Sequence, residues 1–311
     1  MRFMNNIKPK LSVLFGLIVA AIALWAIANE LRAYNYRDVL HSLATIPMRR
    51  LRLGIGLTAL GYLTMTGYDV LALRYIHLSL AYPKVAFTSF ISYAASNTIG
   101  FALLTGSAVR YRFYSKWGLS LQAIAQIVAF VNFSFWLGIL SVGGIAFVLH
   151  TFAIPAQLNL PWFSVRPLGI IFLLLIASYL LGSWLNRRSL SVRGHQFRFP
   201  SLSLAIAQIG LSSLDWSLAA AVVYSLLPTA VSYPEFLGIY LLAMTAGVIS
   251  NIPGGLGVFE SVIVLILAPQ VSAAAVLGSL LVYRAVYYLL PLAVAIILFG
   301  VYEVRMRFQH S

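Results

Sequence analysis

The sequence predicts an all-α polytopic membrane protein in which about six helices cross the bilayer and two helical hairpins enter it and return. Of the 311 residues, 61% are hydrophobic and only 9% are charged, whereas a soluble domain carries about 25% charged residues. Several uncharged runs are long enough to form a spanning helix, which needs about 20 residues. Lysine and arginine are concentrated in particular loops, which indicates the side of the membrane on which each loop lies. We therefore expect a single transmembrane domain over residues 1–311.

The predicted crossing helices are apolar runs bounded by charged or proline-containing segments. Basic residues precede the first run, and Ala26 and Ala28 have the spacing of the small residues at a signal-peptide cleavage site. That run is long for a signal peptide and more membrane segments follow it, so we interpret it as a retained first helix. The six runs are 11–29, 53–73, 119–149, 167–186, 202–227 and 273–302.

The basic loops predict how the chain is oriented. Loops 105–118 and 187–198 and the C-terminal tail are rich in lysine and arginine, which places them in the cytoplasm. Loops 150–164 and 228–234 contain neither residue and are predicted to be external. With this orientation both termini are cytoplasmic. Loop 30–52 does not fit, because it should be external but contains five arginines. An amphipathic interfacial helix at 36–46 would hold them against headgroups.

Two segments, 85–104 and 235–267, begin and end on the same side of the membrane in this topology, so each is predicted to be a re-entrant hairpin. Each is interrupted by residues that disfavour a continuous helix. At membrane depth such a break is tolerated only where protein or water surrounds it. A surface loop joining two ordinary helices is the alternative. The interrupting residues are Gly100 in the first segment and Pro253, Gly254, Gly255 and Gly257 in the second.

The two halves of the chain, about 1–150 and 165–305, then have opposite topology, as in many transporters. Residues 96–100 are similar to 250–254 in the matching hairpin, and Asp69 in the second helix corresponds to Asp215 in the sixth. We therefore predict two inverted repeats with a binding site between them.

Charged residues inside apolar segments are the candidate site residues, since a charge at mid-bilayer costs about 3 kcal/mol and usually has a partner. Arg284 could pair with Asp215 or with Glu260, and Arg74 lies about one turn from Asp69. Each pair could instead be a purely structural bridge, and Glu260 could cap a half-helix. We predict a polar cavity for a charged headgroup, with phosphate contacts at its cytoplasmic mouth. The cavity residues are Asp69, Asn97, Asp215, Asn251, Glu260 and Arg284, and the phosphate contacts are Arg110 and Arg112.

Other classes of site find little support in the sequence. There is no cysteine, and the five histidines are scattered, so we predict no disulfide and no metal site. No phosphate-binding loop or catalytic motif is present, so we predict no cofactor. The net charge of +14 is spread over short loops, which favours anionic lipid rather than nucleic acid as the partner.

Two long motifs resemble a known family. They are 96–102 (SNTIGFA) continuing through 110–119 (RYRFYSKWGL), and 251–260 (NIPGGLGVFE). With Gly67-Tyr68-Asp69 and Leu214-Asp215-Trp216, these stretches are similar to the membrane region of the bacterial lysylphosphatidylglycerol synthetase/flippase, the multiple peptide resistance factor. The resemblance implies a protein of the bacterial inner membrane. Full-length members join a flippase region to a cytosolic aminoacyltransferase.

The resemblance implies that this chain moves aminoacylated phosphatidylglycerol, phosphatidylglycerol or a related lipid between leaflets, which would aid resistance to cationic peptides. The aminoacyltransferase region is missing from the sequence, so we expect no enzymatic activity. The alternative is the membrane subunit of a phosphatidylglycerol lysyltransferase-type enzyme, with its catalytic domain on another chain. A scaffold or small-solute transporter is a third interpretation. A separate aminoacyltransferase and a second copy of the chain, in a homo-oligomer, remain open as protein partners.

Overall fold

The computed structural model describes most of the chain after residue 45. Of the predicted interfacial helix at 36–46, only Arg37, Ala44 and Ile46 are described, and the predicted first helix at 11–29 lies outside the described residues. The described ranges are 46–99, 102–149, 164–185, 190–192, 195–197, 199–228, 231–249 and 257–308.

The described part of the chain is helical apart from one short β-hairpin. The hairpin pairs β1 (Leu190–Val192) with β2 (His195–Phe197) in antiparallel register, inside the predicted basic loop 187–198. The helices are α1 (Met48–Tyr75), α2 (Tyr82–Ile99), α3 (Ala102–Lys116), α4 (Leu121–Leu149), α5 (Arg166–Leu185), α6 (Leu202–Leu226), α7 (Tyr233–Ile249), α8 (Val258–Leu267), α9 (Ala273–Arg284) and α10 (Leu290–Phe308).

Among the described residues, four apolar helical stretches are long enough to cross a membrane: Leu121–Leu149, Arg166–Leu185, Leu202–Leu226 and Ala273–Arg305. The last comprises α9, α10 and the five-residue π-helical segment Ala285–Leu289 that joins them. By contrast α8 has 10 residues, which at 1.5 Å per residue reach about 15 Å, half the hydrocarbon core. The prediction of a polytopic α-helical membrane protein is confirmed.

Both predicted hairpins consist of two helices packed against each other, α2 with α3 and α7 with α8. The extent of the first was predicted wrongly. Residues 105–116 were assigned to a loop, but they form most of α3. The assignment relied on their positive charge, and that charge is compatible with a packed helix because Arg110 has an acidic partner in the interior. A Cβ added at Gly106 would lie 2.5 Å from Ser96 Oγ, so a larger residue at this position would force the Ser96 side chain to move.

The core lies where α6 packs against α1, α4, α7 and α9. It is unusually rich in aromatic side chains for a helical bundle, and many of them are tyrosines. Tyr240 and Tyr283 are each 1% exposed, and their hydroxyl oxygens are 3.1 Å apart. A tyrosine buried in an apolar region requires a partner for its hydroxyl group, so these residues bring polar atoms into the middle of the bundle.

Candidate functional site

The first polar centre is an ion pair between α1 and α3. Arg110 donates from Nε to Asp69 Oδ1 and from NH2 to Asp69 Oδ2, both at 2.8 Å. The Tyr114 hydroxyl donates to Asp69 Oδ1 at 2.8 Å, and the Arg110 guanidinium lies 4.9 Å from the centre of the Tyr93 ring. Because Asp69 is fully buried and Arg110 is 3% exposed, the two charges neutralise each other in the interior.

This pair was not predicted from the sequence. Arg74 lies about one turn from Asp69 along α1, but residues five apart on a helix point about 140° away from each other. The partner is Arg110 of the first hairpin instead. It lies on the buried face of α3 and not at the exposed mouth of the cavity, where it was predicted. Tyr114 follows Arg110 by four residues, so it lies on the same face of α3 and its hydroxyl group bonds the same carboxylate.

The second polar centre joins α8 to the end of α9. Glu260 Oε2 accepts the backbone N–H of Gly257 at 2.8 Å, which caps α8. Glu260 Oε1 accepts Arg284 Nε at 2.9 Å and also Arg284 NH2. Gly257 has φ +81°, a conformation that favours glycine. Glu260 therefore serves both as a cap and as an ion-pair partner, and of the two pairs predicted for Arg284 the one with Glu260 is formed.

Asp215 is the third acid in the interior. Its Oδ2 accepts the Tyr68 hydroxyl at 3.0 Å, while its Oδ1 is buried without a hydrogen-bond partner among the described residues. Tyr68 is adjacent to Asp69 in α1, so the first ion pair and Asp215 are linked through neighbouring residues. Asp215 forms no ion pair with any basic residue of the described ranges, which distinguishes it from Asp69 and Glu260.

The π-helical segment begins directly after Arg284. A π-helical turn leaves carbonyl groups without their usual helical partners and often marks a functional position. Here Tyr62 of α1 donates to the Tyr287 carbonyl at 3.1 Å, and Thr98 of α2 donates to the Tyr288 carbonyl at 3.2 Å. The last turn of α2 therefore contacts the last membrane segment at the point where its helix changes geometry.

The remaining predicted residues divide into those at the edge of the site and those outside the described ranges. Arg112 bonds Glu303 of α10 at 2.6 Å, and its side chain is 40% exposed, so it forms a surface bridge. Asn97 is half-buried in the last turn of α2, where its amide nitrogen lies 3.9 Å from Met65 Sδ. The other predicted positions lie outside the described residues: Gly100, Asn251, Pro253, Gly254 and Gly255.

Sequence reasoning missed the tyrosines that connect these centres. The ring centres of Tyr68 and Tyr93 are 6.0 Å apart, and those of Tyr62 and Tyr287 are 5.9 Å apart. Tyr283 stacks on Tyr287 with their ring centres 5.2 Å apart. The sequence signal that could have identified them is the recurrence of tyrosine at spacings of four to seven residues within apolar runs. We call Tyr62, Tyr68, Tyr93, Tyr240, Tyr283, Tyr287 and Tyr288 the tyrosine band.

The site thus has two neutralised ion pairs, one unpaired acid and a set of hydroxyl groups between them. Such an arrangement can exchange hydrogen bonds with a polar or charged ligand. It shows no metal-binding geometry, because no group of three or more acidic or histidine ligands occurs within the described ranges.

Comparison with known proteins gives consistent matches across the chain. Residues 13–295 match the sequence model of a family described as "Lysylphosphatidylglycerol synthase TM region". An uncharacterized protein of Synechocystis sp., slr0712, is 45% identical over 93% of this chain and 90% of its own length. The inner membrane protein YbhN of Escherichia coli is 35% identical over 80% of this chain and 79% of its own length. Phosphatidylglycerol lysyltransferase of Staphylococcus aureus is 26% identical over 94% of this chain, which spans only 34% of that protein.

Proposed function

Because the chain belongs to the lysylphosphatidylglycerol synthase TM-region family, we propose that it is a phospholipid translocase, which moves phosphatidylglycerol, its aminoacylated form or a related lipid between leaflets. The polar headgroup passes through the site between the two hairpins while the acyl chains remain in the bilayer. The protein lies in a bacterial inner membrane with both termini in the cytoplasm. This orientation follows from the distribution of basic loops, and the name of the Escherichia coli relative supports the location.

The observation that carries this proposal is that Asp215 has no ionic partner among the described residues, whereas Asp69 and Glu260 are both neutralised by arginines. Retaining a buried charge without an ionic partner costs stability, and intramembrane ionisable groups of this kind usually mark a substrate or ion pathway. Asp215 has this character, and it lies beside the tyrosine band. Its position between α1 and α6 is where a headgroup would contact both halves of the chain.

The Glu260–Arg284 pair supplies the element that can open. Arg284 is 20% exposed as a side chain, so a lipid phosphate can reach it and compete with Glu260. Glu260 released in this way would lose its charge partner while still capping α8. Asp69 and Arg110 form the wall of the passage and hold α3 against α1. Broken helices with charged groups at their ends are the usual way in which transporters bind ligands at membrane depth.

A leaflet-accessibility assay in proteoliposomes tests the proposal. Labelled phosphatidylglycerol and lysyl-phosphatidylglycerol are compared for the rate at which an impermeant quencher loses access to the outer-leaflet label. We expect translocation of at least one lipid, and loss of that activity in Asp215→Asn and Arg284→Ala. Glu235→Gln, in the first turn of α7, is the matched control and retains activity. Equal activity of Asp215→Asn and wild type, or no translocation by folded wild type, would contradict the proposal.

The second candidate is a membrane subunit for a lipid-modifying enzyme. It is favoured by the match to phosphatidylglycerol lysyltransferase, of which this chain covers about a third. This function requires a soluble aminoacyltransferase that binds the chain. Co-purification of such a transferase, together with lysyl-phosphatidylglycerol synthesis only when both proteins are present, would support it over the translocase.

A further inference from the structure

Outside α2, the buried serine and threonine hydroxyl groups of the described residues generally bond to a carbonyl of their own helix three or four residues earlier, as is common in membrane helices. Thr58 donates to Gly54, and Ser134 donates to Phe130, at 2.9 and 2.8 Å. The pattern recurs in α4, α6, α7 and α9. A buried hydroxyl that departs from it therefore has a different local requirement.

Four neighbouring hydroxyl groups of α2 depart from this pattern. Thr88, Ser89 and Ser92 are fully buried, and with Tyr93 their oxygens have no hydrogen-bond partner among the described residues. Ser89 lies beside Tyr114, and Tyr93 lies beside Arg110, but both pairs are outside hydrogen-bond geometry. Leaving a buried hydroxyl without a hydrogen-bond partner destabilises the folded protein. Four such groups within two turns would be costly unless a small polar species bonds them, and buried water commonly does so.

The cluster lies at the depth of the first ion pair. Ser89 is seven residues from the start of α2 and Arg110 is six from the end of α3, so both are about 10 Å from the shared end of the hairpin. The guanidinium of Arg110 covers the Tyr93 ring. Since Asp69 already neutralises Arg110, the cluster carries no net charge and suits water better than a metal cation.

The polar contacts continue from this cluster to Asp215. Tyr93 packs on Tyr68, and the Tyr68 hydroxyl bonds Asp215 Oδ2. Oδ1 of Asp215 has no partner, so five of the six buried side-chain oxygens without partners in the described ranges belong to this cluster and to Asp215. The sixth, Ser183 Oγ, is on α5.

The titratable groups that face Asp215 come from several helices. Tyr62 and Tyr68 of α1, Tyr93 of α2, Tyr240 of α7 and Tyr287 of the π-helical segment interact with it electrostatically. Asp69 and Arg110 both interact electrostatically with Tyr93, and the effects of their opposite charges on Tyr93 largely cancel. Tyr179 of α5, which packs against α6, donates from its hydroxyl group to Gln208 Oε1 of α6.

We propose that Thr88, Ser89, Ser92 and Tyr93 hold a file of water molecules that conducts protons between the end of the first hairpin and Asp215. A proton arriving by this route binds the Asp215 carboxylate and converts it to a neutral acid; release returns the proton to the water file. No oxidant or further reactant is needed. The consequence for transport rests on the proposed function: lipid movement is coupled to this proton, so a pH gradient drives it.

Cysteine accessibility tests the route independently of transport. The chain has no cysteine, so single-cysteine variants need no background changes. Ser92→Cys is compared with Ser134→Cys, because both serines are 0% exposed but only Ser134 bonds its own helix. The probe is Ag⁺, a small hydrophilic cation that reacts with ionised thiols. We expect Ser92→Cys to react at least about tenfold faster, and faster from the cytoplasmic side. Equal, slow reaction of both variants would overturn the route.

Transport under an imposed pH gradient tests the coupling. If one proton accompanies each lipid, every pH unit should shift the steady-state leaflet ratio about tenfold, since about 1.4 kcal/mol corresponds to a factor of ten. The triple variant Thr88→Val/Ser89→Ala/Ser92→Ala keeps Asp215 and should lose this shift. Translocation whose leaflet ratio does not change with the pH gradient would overturn the proton coupling and leave the proposed function intact. Absence of translocation would overturn the proposed function and the coupling, while the Ag⁺ comparison would still decide the route.

Discussion

The two buried ion pairs have similar chemistry but different surroundings. Asp69 accepts three hydrogen bonds, two from Arg110 and one from Tyr114, and both charged side chains are at most 4% exposed. Glu260 accepts one hydrogen bond from the backbone at a helix start and the rest from Arg284, whose side chain is 20% exposed. The first pair lies between two continuous helices, whereas the second lies between a half-helix and a π-helical segment.

This difference indicates separate tasks for the two pairs. A bidentate pair with no access to water has geometry that costs several kcal/mol to disrupt, so it suits a fixed connection between the first hairpin and α1. A pair at a helix break can exchange partners at lower cost, because its neighbours already have alternative hydrogen bonds. We therefore assign ligand exchange to Glu260–Arg284 and Asp215, and packing to Asp69–Arg110.

The largest expected effect on stability comes from removing one charged partner of the Asp69–Arg110 pair while keeping the other. Arg110→Gln leaves Asp69 buried with only Tyr114 as partner, so we expect a loss of about 3–5 kcal/mol in stability. The thermal unfolding midpoint in detergent measures this. The double variant Asp69→Asn/Arg110→Gln removes both charges and should recover at least half of the loss and retain translocation. A single variant with an unchanged midpoint would mean that the pair is not a fixed connection.

The contrast between the pairs also shows where sequence reasoning succeeds. The membrane class and the break before Glu260 follow from composition, glycine and proline, and those are properties of neighbouring residues. The partner of Asp69 could not be predicted in that way, because Arg110 is 41 residues away and appears in a segment whose charge resembles a loop. The role of the tyrosines was missed for a similar reason: a tyrosine in an apolar run has no distinctive local pattern until its hydroxyl partner is known.

The next effect concerns the exchangeable pair. Glu260→Gln keeps the size of the side chain and an oxygen that can still cap α8, but it removes the charge opposite Arg284. We expect a smaller loss of stability than in Arg110→Gln, about 1–2 kcal/mol because Arg284 is partly exposed, and a loss of translocation. Unfolding midpoints and leaflet-accessibility rates for the two variants are measured side by side. A fully active Glu260→Gln would remove the distinction between the pairs.

A glycine substitution separates the role of the helix break from general stability. Gly257 and Gly118 both have positive φ, +81° and +90°, and a Cβ at either would have nothing within 4 Å. Changing each to alanine should therefore cost a similar amount, about 1–2 kcal/mol, through backbone strain alone. Gly257 precedes the half-helix that carries Glu260, so only Gly257→Ala should also slow translocation. Equal slowing by both variants would show that translocation responds only to overall stability.

The smallest expected effect is at the third ion pair, between Arg112 and Glu303. Both side chains are partly exposed, at 40% and 22%, and exposed pairs contribute at most about 1 kcal/mol and weaken further in salt. Glu303→Gln should therefore change the unfolding midpoint little and leave translocation intact. If this variant instead lost translocation at low salt and recovered it at high salt, Arg112 would be acting on lipid phosphate at the mouth of the site. The surface pair would then share the ligand exchange that we assign to Glu260–Arg284 and Asp215.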